Sequence, residues 1–194
     1  MASGLIDPNY YFISGPDVHE ATLDAALHFC RYGWREKRQP NVYFNTRWYL
    51  ETNPVVDRLR TNPLVQYILD GEAAARRPVP YFDPGWYRNE YGINAGQNAL
   101  AHYLFHRREQ LFSPTPLFDI IWYLQQHSDQ IGPNRDPFAH FIFAGTSHDI
   151  DPSPTFSAAR YRRKHLGRPS KHFGRLLHPD KDNPLAHYLR THYR

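Results

Sequence analysis

The sequence has few of the residues that would lock its fold covalently or hold it in a membrane. Cys30 is the single cysteine among 194 residues, so no disulfide can form within the chain, and a reducing, cytoplasmic setting is expected. No segment approaches the roughly 18 consecutive apolar residues of a membrane-spanning helix. The stretch MASGLIDPNYYF lacks the basic region and apolar run of a signal peptide, which also favours a cytoplasmic location.

The sequence also lacks the motifs of common catalytic chemistry. It has no glycine-rich phosphate loop, no Gly-x-Ser-x-Gly motif and no cysteine–histidine pair in a supporting context. His102 and His106 have a spacing that can hold a metal ion, but the zincin glutamate and a third ligand are missing. We therefore name no catalytic residue, no metal and no cofactor, and the sequence favours a protein that is not an enzyme.

A short pattern recurs along the chain, and its first anchor is a tyrosine. The spacings between successive anchor tyrosines are 38, 38, 36 and 38 residues. A second anchor is a histidine, replaced once by glutamine. In four copies a proline stands 12 residues after this anchor, and a phenylalanine follows the proline four residues later. The two anchors are Tyr11, Tyr49, Tyr87, Tyr123 and Tyr161, and His28, Gln66, His102, His140 and His187.

We therefore predict an internal repeat, since such periods are typical of stacked helical arrays. Five copies are expected, named copies one to five in chain order, with an insertion near 165–180 in the last. The 17 prolines and 11 glycines make frequent breaks and disfavour long helices and long strands. The predicted fold is all-α: a tandem array of short two-helix repeats with proline-rich connectors, stacked as one elongated domain over 1–194. The approximate bounds are 5–43, 44–81, 82–117, 118–155 and 156–194.

Helix starts are predicted from capping residues, whose side-chain oxygens satisfy a free N–H in the first turn. The first helix of each copy should begin after an Asp, Asn or Ser N-cap, and the second helix after an Asp or Asn N-cap. Gly33, Gly71 and Gly145 are expected to end the second helix in a left-handed conformation. The Pro-x-Pro-x-Phe connectors are expected to be extended. The predicted caps are Asp7, Asn45, Asp83, Asp119 and Ser157, then Asp24, Asn62, Asn98, Asp136 and Asn183.

The anchor histidines are interpreted as structural. Gln66 occupies the same place in copy two, and glutamine can replace histidine as a hydrogen-bond partner but is a poor metal ligand. We predict a hydrogen bond between helices at His28, Gln66, His102, His140 and His187. The tryptophans before the anchor tyrosines, Trp48, Trp86 and Trp122, are either core residues or candidates for stacking on a ligand.

Positive charge is concentrated at one end. From Phe156 onward ten Lys and Arg face two Asp, whereas residues 1–155 carry a net charge of −4. An insertion in a repeat usually forms a loop on one face, often the binding face. These cations are either a solvated cap or an anion-binding surface. The candidate anion-binding residues are Arg160, Arg162, Arg163, Lys164, Arg168, Lys171 and Arg175.

The segments FDPGWYRNEYG, NALAHYLFH and PTPLFD together resemble a known bacterial tandem repeat of about 38–40 residues. Its usual form is FDxxWYLxxNPDVAxxGxxPLxHYLxxGxxEGRxPxPxFD, and WYLETNPVVD (48–57) is a close match. Arg107 replaces the repeat's glycine in copy three, and Arg160 replaces its tryptophan in copy five. Such repeats occur beside glycosyltransferase domains that build surface polysaccharides. The resemblance implies an accessory segment, since no nucleotide-sugar domain is evident here.

The leading hypothesis is a non-catalytic module that binds a protein partner or an acidic polysaccharide in bacterial surface-polysaccharide biosynthesis. One alternative is nucleic-acid binding through the basic copy five, with Trp and Tyr stacking on bases. A second alternative is an accessory segment of a glycosyltransferase. Copy five stops without the closing glycine and connector. Two alternatives are open: self-association through the repeat ends, or a native polypeptide that continues beyond residue 194.

Overall fold

The computed structural model describes residues 2–20, 23–167 and 183–192. Within these ranges the protein is all-α and contains no β-strand, as the sequence predicted. None of the helices in these ranges combines the length and the apolar character needed to cross a membrane. The chain divides into two compact units, Met1–Leu104 (unit 1) and Phe105–Arg194 (unit 2). The single domain and the five repeat bounds stay predictions.

Unit 1 is built from short helices that rarely exceed two turns. After a 3₁₀ turn at Ala2–Leu5, two of its helices continue directly into π-helical turns, Phe29–Gly33 and Tyr67–Gly71. Helix α1 packs on α3, and α4 packs on α6. The helices are α1 (Pro8–Ser14), α2 (Pro16–Glu20), α3 (Ala25–His28), α4 (Thr46–Thr52), α5 (Pro54–Arg58), α6 (Pro63–Gln66), α7 (Pro84–Tyr91) and α8 (Ala99–His106, whose last two residues belong to unit 2).

Unit 2 has longer helices. A 3₁₀ turn at Arg107–Glu109 follows α8, and then come α9 (Ile120–Ile131), α10 (Pro137–His148), α11 (Ala158–His165) and α12 (Pro184–His192). Helix α9 packs on α10, and α11 packs on α12. Pairing is needed because helices of this length are marginal alone in water. Packing supplies the missing stability.

The ten predicted N-caps are confirmed. In α4 the Trp48 N–H donates to Asn45 Oδ1 at 3.0 Å, and in α9 the Trp122 N–H donates to Asp119 Oδ1 at 3.0 Å. Each cap satisfies one backbone donor that the first helical turn leaves free. The remaining caps are Asp7, Asp83, Ser157, Asp24, Asn62, Asn98, Asp136 and Asn183.

The prediction of extended connectors is wrong, because each connector closes as a tight turn. The Phe82 N–H donates to the Val79 carbonyl at 3.2 Å, and the Phe118 N–H donates to the Thr115 carbonyl at 3.2 Å. The second proline of the motif therefore stands at the second position of a four-residue turn, where its fixed φ is favoured. The corresponding turns close from Phe44 to Asn41 and from Phe156 to Ser153.

The prediction that glycine ends the second helix is also wrong. Gly33 and Gly71 end π-helical turns without a positive φ, and Gly145 lies inside α10. A Cβ at Gly33 would overlap the hydroxyl oxygen of Tyr11, and one at Gly71 would overlap that of Tyr49. Glycine is needed there because a tyrosine side chain lies against the backbone.

The left-handed position comes four residues later in the chain. Lys37, Ala75 and Asp149 occupy it, with φ of 59°, 54° and 52°. Cys30 is exposed, because its neighbour Phe29 takes the inward position.

Candidate functional site

Each anchor tyrosine meets the second anchor of its own copy. The hydroxyl oxygen lies within hydrogen-bond distance of a histidine Nδ1 in four copies and of the glutamine Oε1 in copy two. These contacts join the two helices for which the sequence predicted a hydrogen bond. The distances are 2.8 Å for Tyr11–His28, 2.6 Å for Tyr49–Gln66, 2.9 Å for Tyr87–His102, 2.8 Å for Tyr123–His140 and 2.9 Å for Tyr161–His187.

We call these contacts between an anchor tyrosine and the second anchor the tyrosine ties. Copy two shows that the tyrosine hydroxyl is the donor of the hydrogen bond. Gln66 Oε1 can only accept, so the Tyr49 hydroxyl must donate. Burial raises the pKa of Tyr49 and of Tyr123, so both hydroxyls keep their protons at neutral pH. Burial also lowers the pKa of His140, which therefore stays neutral with Nδ1 available as the acceptor. The ties of copies two and four are therefore neutral hydrogen bonds, as a structural role requires.

An aromatic ring follows the second anchor in every copy, and sequence analysis missed this position. In copy two the rings of Phe44, Tyr49 and Tyr67 lie 5.3–5.8 Å apart, centre to centre. Edge-to-face packing of this kind adds to the burial of the rings. Aligning the copies beside their histidines would have revealed the position, which is occupied by Phe29, Tyr67, Tyr103, Phe141 and Tyr188.

The three candidate stacking tryptophans have different surroundings. The Trp48 side chain belongs to the core, with 5 % of the residue exposed, so it offers no ring face to a ligand. Trp86 and Trp122 are half-buried. The Trp86 ring packs edge-to-face on Tyr91 at 5.9 Å between centroids. Only Trp86 and Trp122 keep accessible ring surface for stacking.

Three of the predicted anion-binding residues share an exposed face of α11. Arg160, Arg163 and Lys164 are exposed and follow an i, i+3, i+4 spacing, which places their side chains together on one side of the helix. Within the part of the chain that the structure describes, no carboxylate pairs with any of the three. Three further predicted residues, Arg168, Lys171 and Arg175, lie outside the described residues.

Arg162 leaves the predicted anion-binding set because it points inward. It is 5 % exposed, and its guanidinium pairs with the carboxylate of Asp149. Asp149 is the left-handed residue that ends α10, so the pair ties α11 to the end of the preceding helix. A buried and paired guanidinium holds the fold and is closed to an outside anion.

A similar ion pair in unit 1 escaped sequence analysis. The Arg88 Nε donates to Glu72 Oε1 at 2.6 Å, and the same carboxylate oxygen accepts from the Ala99 N–H at 3.3 Å. Arg88 and Arg162 each follow an anchor tyrosine directly, but their acidic partners stand at different places in the repeat. No spacing in the sequence could therefore have paired them.

The described histidines and acids form no metal centre. No group of three or more His, Cys, Asp or Glu side chains in these ranges has the geometry to hold a metal ion. His102 Nδ1 faces Tyr87, and His106 Nδ1 lies 2.8 Å from Glu109 Oε1. Both imidazoles have partners that explain their placement.

The chain stands apart in comparisons with known proteins. No protein-family model, no curated protein and no solved structure matches it.

Proposed function

We propose that the five copies form a tandem array, one unit after another, in which the helix with the anchor tyrosine is bonded to the helix with the second anchor. In copies one and two a short third helix, α2 or α5, lies between them in the chain. The support is a backbone hydrogen bond that recurs at a separation of 33 residues. The Asp7 N–H donates to the Pro40 carbonyl at 2.9 Å, the Asn45 N–H to that of Pro78 at 3.0 Å, and the Asp119 N–H to that of Pro152 at 3.0 Å. Each bond brings a connector proline back to the cap of the helix that opened the copy.

Contacts between neighbouring copies support the same arrangement. In unit 1 the Tyr81 hydroxyl donates to the Val42 carbonyl at 2.6 Å, and the Tyr43 and Tyr81 rings pack at 6.2 Å between centroids. In unit 2 Arg107 pairs with Asp136 at 3.2 Å. Arrays of this kind gain stability from nearest-neighbour interfaces.

For the array we propose a non-catalytic binding function, with an acidic polysaccharide as the ligand. The observation that carries this proposal is the cationic face of Arg160, Arg163 and Lys164 on α11, with which no carboxylate pairs among the residues that the structure describes. The recurring tyrosines, histidines and caps are engaged in internal contacts, so they are the scaffold. Cations grouped on one helix face suit the repeated carboxylates or phosphates of an acidic polymer.

Helix electrostatics support a functional origin for Arg160 in particular. Cations in the last turn of a helix interact favourably with its dipole, which accounts for Arg163 and Lys164 without any ligand. Arg160 lies in the first turn of α11, where the dipole disfavours a positive charge. In copies two to four a tryptophan occupies this place. A cation placed against the dipole is accounted for by an anionic partner.

The resemblance to repeats beside glycosyltransferase domains supports the same kind of ligand. It places the proposal in bacterial surface-polysaccharide biosynthesis, with this chain as an accessory segment in the cytoplasm. In that setting the chain would hold the acidic product, and catalysis would belong to another protein.

Fluorescence anisotropy tests the proposal directly. The purified chain is titrated into a labelled acidic polysaccharide, a labelled neutral polysaccharide and a labelled single-stranded DNA, at low and moderate salt. The binding-face variant is Arg160→Ala/Arg163→Ala/Lys164→Ala. A matched control, Arg31→Ala/Arg47→Ala/Arg58→Ala, removes the same charge from exposed positions in unit 1.

We expect the acidic polysaccharide to bind the wild-type chain and the control variant at moderate salt, and to lose affinity at least tenfold in the binding-face variant. Loss of about three charge contacts corresponds to such a change at these ionic strengths. Preferred binding of the DNA, with a steep salt dependence, would replace the polysaccharide by a nucleic acid. Equal affinity of both triple variants would remove α11 as the site.

A further inference from the structure

Copy four contains two neighbouring histidines where copy two has none that can titrate. His127 follows Tyr123 by four residues, and the corresponding residue of copy two is Asn53. The His127 ring packs on Tyr123 at 4.7 Å and lies 6.3 Å from the His140 ring, centre to centre. Both imidazoles therefore contact the ring whose hydroxyl ties α9 to α10.

The surroundings of His127 oppose a positive charge. Its Nδ1 is enclosed and has no hydrogen-bond partner within the described ranges. Protonation would place a charged N–H donor at that site without an acceptor, and a buried unpaired charge is costly. Burial accordingly lowers the pKa of His127.

His140 is constrained in the same direction. Burial is the main cause of its lowered pKa, and the facing imidazole of His127 is the second. The carboxylates at the starts of the two helices are engaged elsewhere: Asp119 caps α9, and Asp136 caps α10 and pairs with Arg107. None of the described groups offers His140 a compensating negative charge.

We propose that the α9–α10 helix pair is an acid-sensitive element, which opens when either His127 or His140 binds a proton. A proton on His140 Nδ1 removes the acceptor of the Tyr123 hydroxyl, and one on His127 places a charged N–H donor in an enclosed position without an acceptor. The α4–α6 pair of copy two lacks this response, because Asn53 and Gln66 occupy the same two places and do not titrate.

The sign of the effect follows from proton linkage. A histidine whose pKa is lower in the folded state than in the unfolded chain binds its proton more readily after unfolding. Stability is therefore full above the ordinary histidine pKa of about 6.5 and falls as the pH drops below it. The loss levels off once the pH has passed the folded-state pKa.

Copy five resembles copy four, because its anchor tyrosine also contacts two histidines. His165 stacks on Tyr161 at 4.4 Å, and Tyr161 is tied to His187. Burial lowers the pKa of His187 first, followed by the nearby His165, Arg190 and His192. All of these neighbours are cationic when charged, so acid should also weaken the α11–α12 pair.

Hydrogen exchange read by mass spectrometry at pH 7.5 and pH 5.0 tests the proposal. Protection is corrected for the intrinsic pH dependence of exchange and compared between α4–α6 and α9–α10. The test variant His127→Asn/His140→Gln places the residues of copy two in copy four. The control His28→Gln removes an anchor histidine of unit 1, where Gly15 stands at the place of His127.

We expect α9–α10 of the wild-type chain to lose roughly tenfold or more of its protection at pH 5.0, because the unfolded helices bind protons that the folded pair resists. The α4–α6 pair should keep its protection. The test variant should abolish the loss in α9–α10, and His28→Gln should leave it unchanged.

Equal protection of wild-type α9–α10 at both pH values overturns the proposal, as does an undiminished loss in the test variant. If the double variant does not fold at pH 7.5, His127→Asn alone provides the test, because it keeps the Tyr123–His140 bond. It should at least halve the acid-induced loss, and an unchanged loss overturns the proposal as well.

Discussion

The anchor tyrosines of copies two and four occupy the same place in the repeat but have different hydrogen-bond partners. In copy two the Tyr49 hydroxyl donates to Gln66, and in copy four the Tyr123 hydroxyl faces Nδ1 of His140. The two distances, 2.6 and 2.8 Å, are those of ordinary hydrogen bonds. Each copy provides an acceptor for its buried tyrosine hydroxyl, and that acceptor can be an imidazole or an amide oxygen.

This comparison separates the role of the tie from the chemistry of its acceptor. A buried tyrosine hydroxyl needs a partner because leaving it unsatisfied costs about 1–3 kcal/mol. Glutamine meets that need at every pH, whereas histidine meets it only while Nδ1 carries no proton. The tie of copy two should therefore be independent of pH, whereas the tie of copy four should depend on it.

Among the substitutions considered, Gly71→Ala should lower the stability of copy two the most. The added Cβ would overlap the Tyr49 hydroxyl oxygen, so either the tie or the π-helical turn must give way. Overpacking together with the lost hydrogen bond should lower the free energy of unfolding of unit 1 by about 3 kcal/mol, measured by urea denaturation.

Gly96→Ala is the matched control in the same unit, because a Cβ there meets nothing within 4 Å. Its effect should stay within about 0.5 kcal/mol. Equal effects of the two substitutions would show that the tyrosine does not press on the backbone of Gly71.

Tyr49→Phe and Tyr123→Phe remove only the hydroxyl and should weaken their copies to a similar degree. Each leaves the ring packing in place and deprives the tie of its donor, so each should cost about 1 kcal/mol at pH 7.5. Urea denaturation of both variants measures the loss. A cost close to zero in either copy would mean that its tie contributes nothing to stability.

Asn53→His/Gln66→His carries the arrangement of copy four into copy two. We expect a small change at pH 7.5 and an additional loss of about 1 kcal/mol of stability in unit 1 at pH 5.0, since two facing imidazoles then resist protonation. Gln66→His alone is the control and should lose less. A double variant as stable at pH 5.0 as at pH 7.5 would show that facing histidines are not sufficient.

The sequence predicted the features that depend on local chemistry. All ten caps and the all-α class follow from residues whose effect extends over one helical turn. The placement of Tyr49 against Gly71 depends on tertiary packing, so the glycine was assigned to a left-handed position that Ala75 occupies. The Arg88–Glu72 pair was missed because the acidic partners of Arg88 and Arg162 stand at different places in the repeat, so no constant spacing links arginine to acid.

The candidate site also contains features that local sequence determines and features that depend on tertiary packing. The i, i+3, i+4 spacing of Arg160, Arg163 and Lys164 can be read from any helical stretch of sequence. The inward position of Arg162 could not be predicted, because it depends on Asp149 at the end of another helix. The same holds for Trp48, whose burial is decided by neighbouring elements and not by its own segment.

The central claim is that the anchor histidines are neutral acceptors that hold helices together. Long-range ¹H–¹⁵N NMR of the imidazole rings at pH 7.5 tests it most directly. We predict that His28, His102, His140 and His187 carry their proton on Nε2 and accept from tyrosine at Nδ1. A proton on Nδ1, or a charged imidazolium, at these positions would contradict the account.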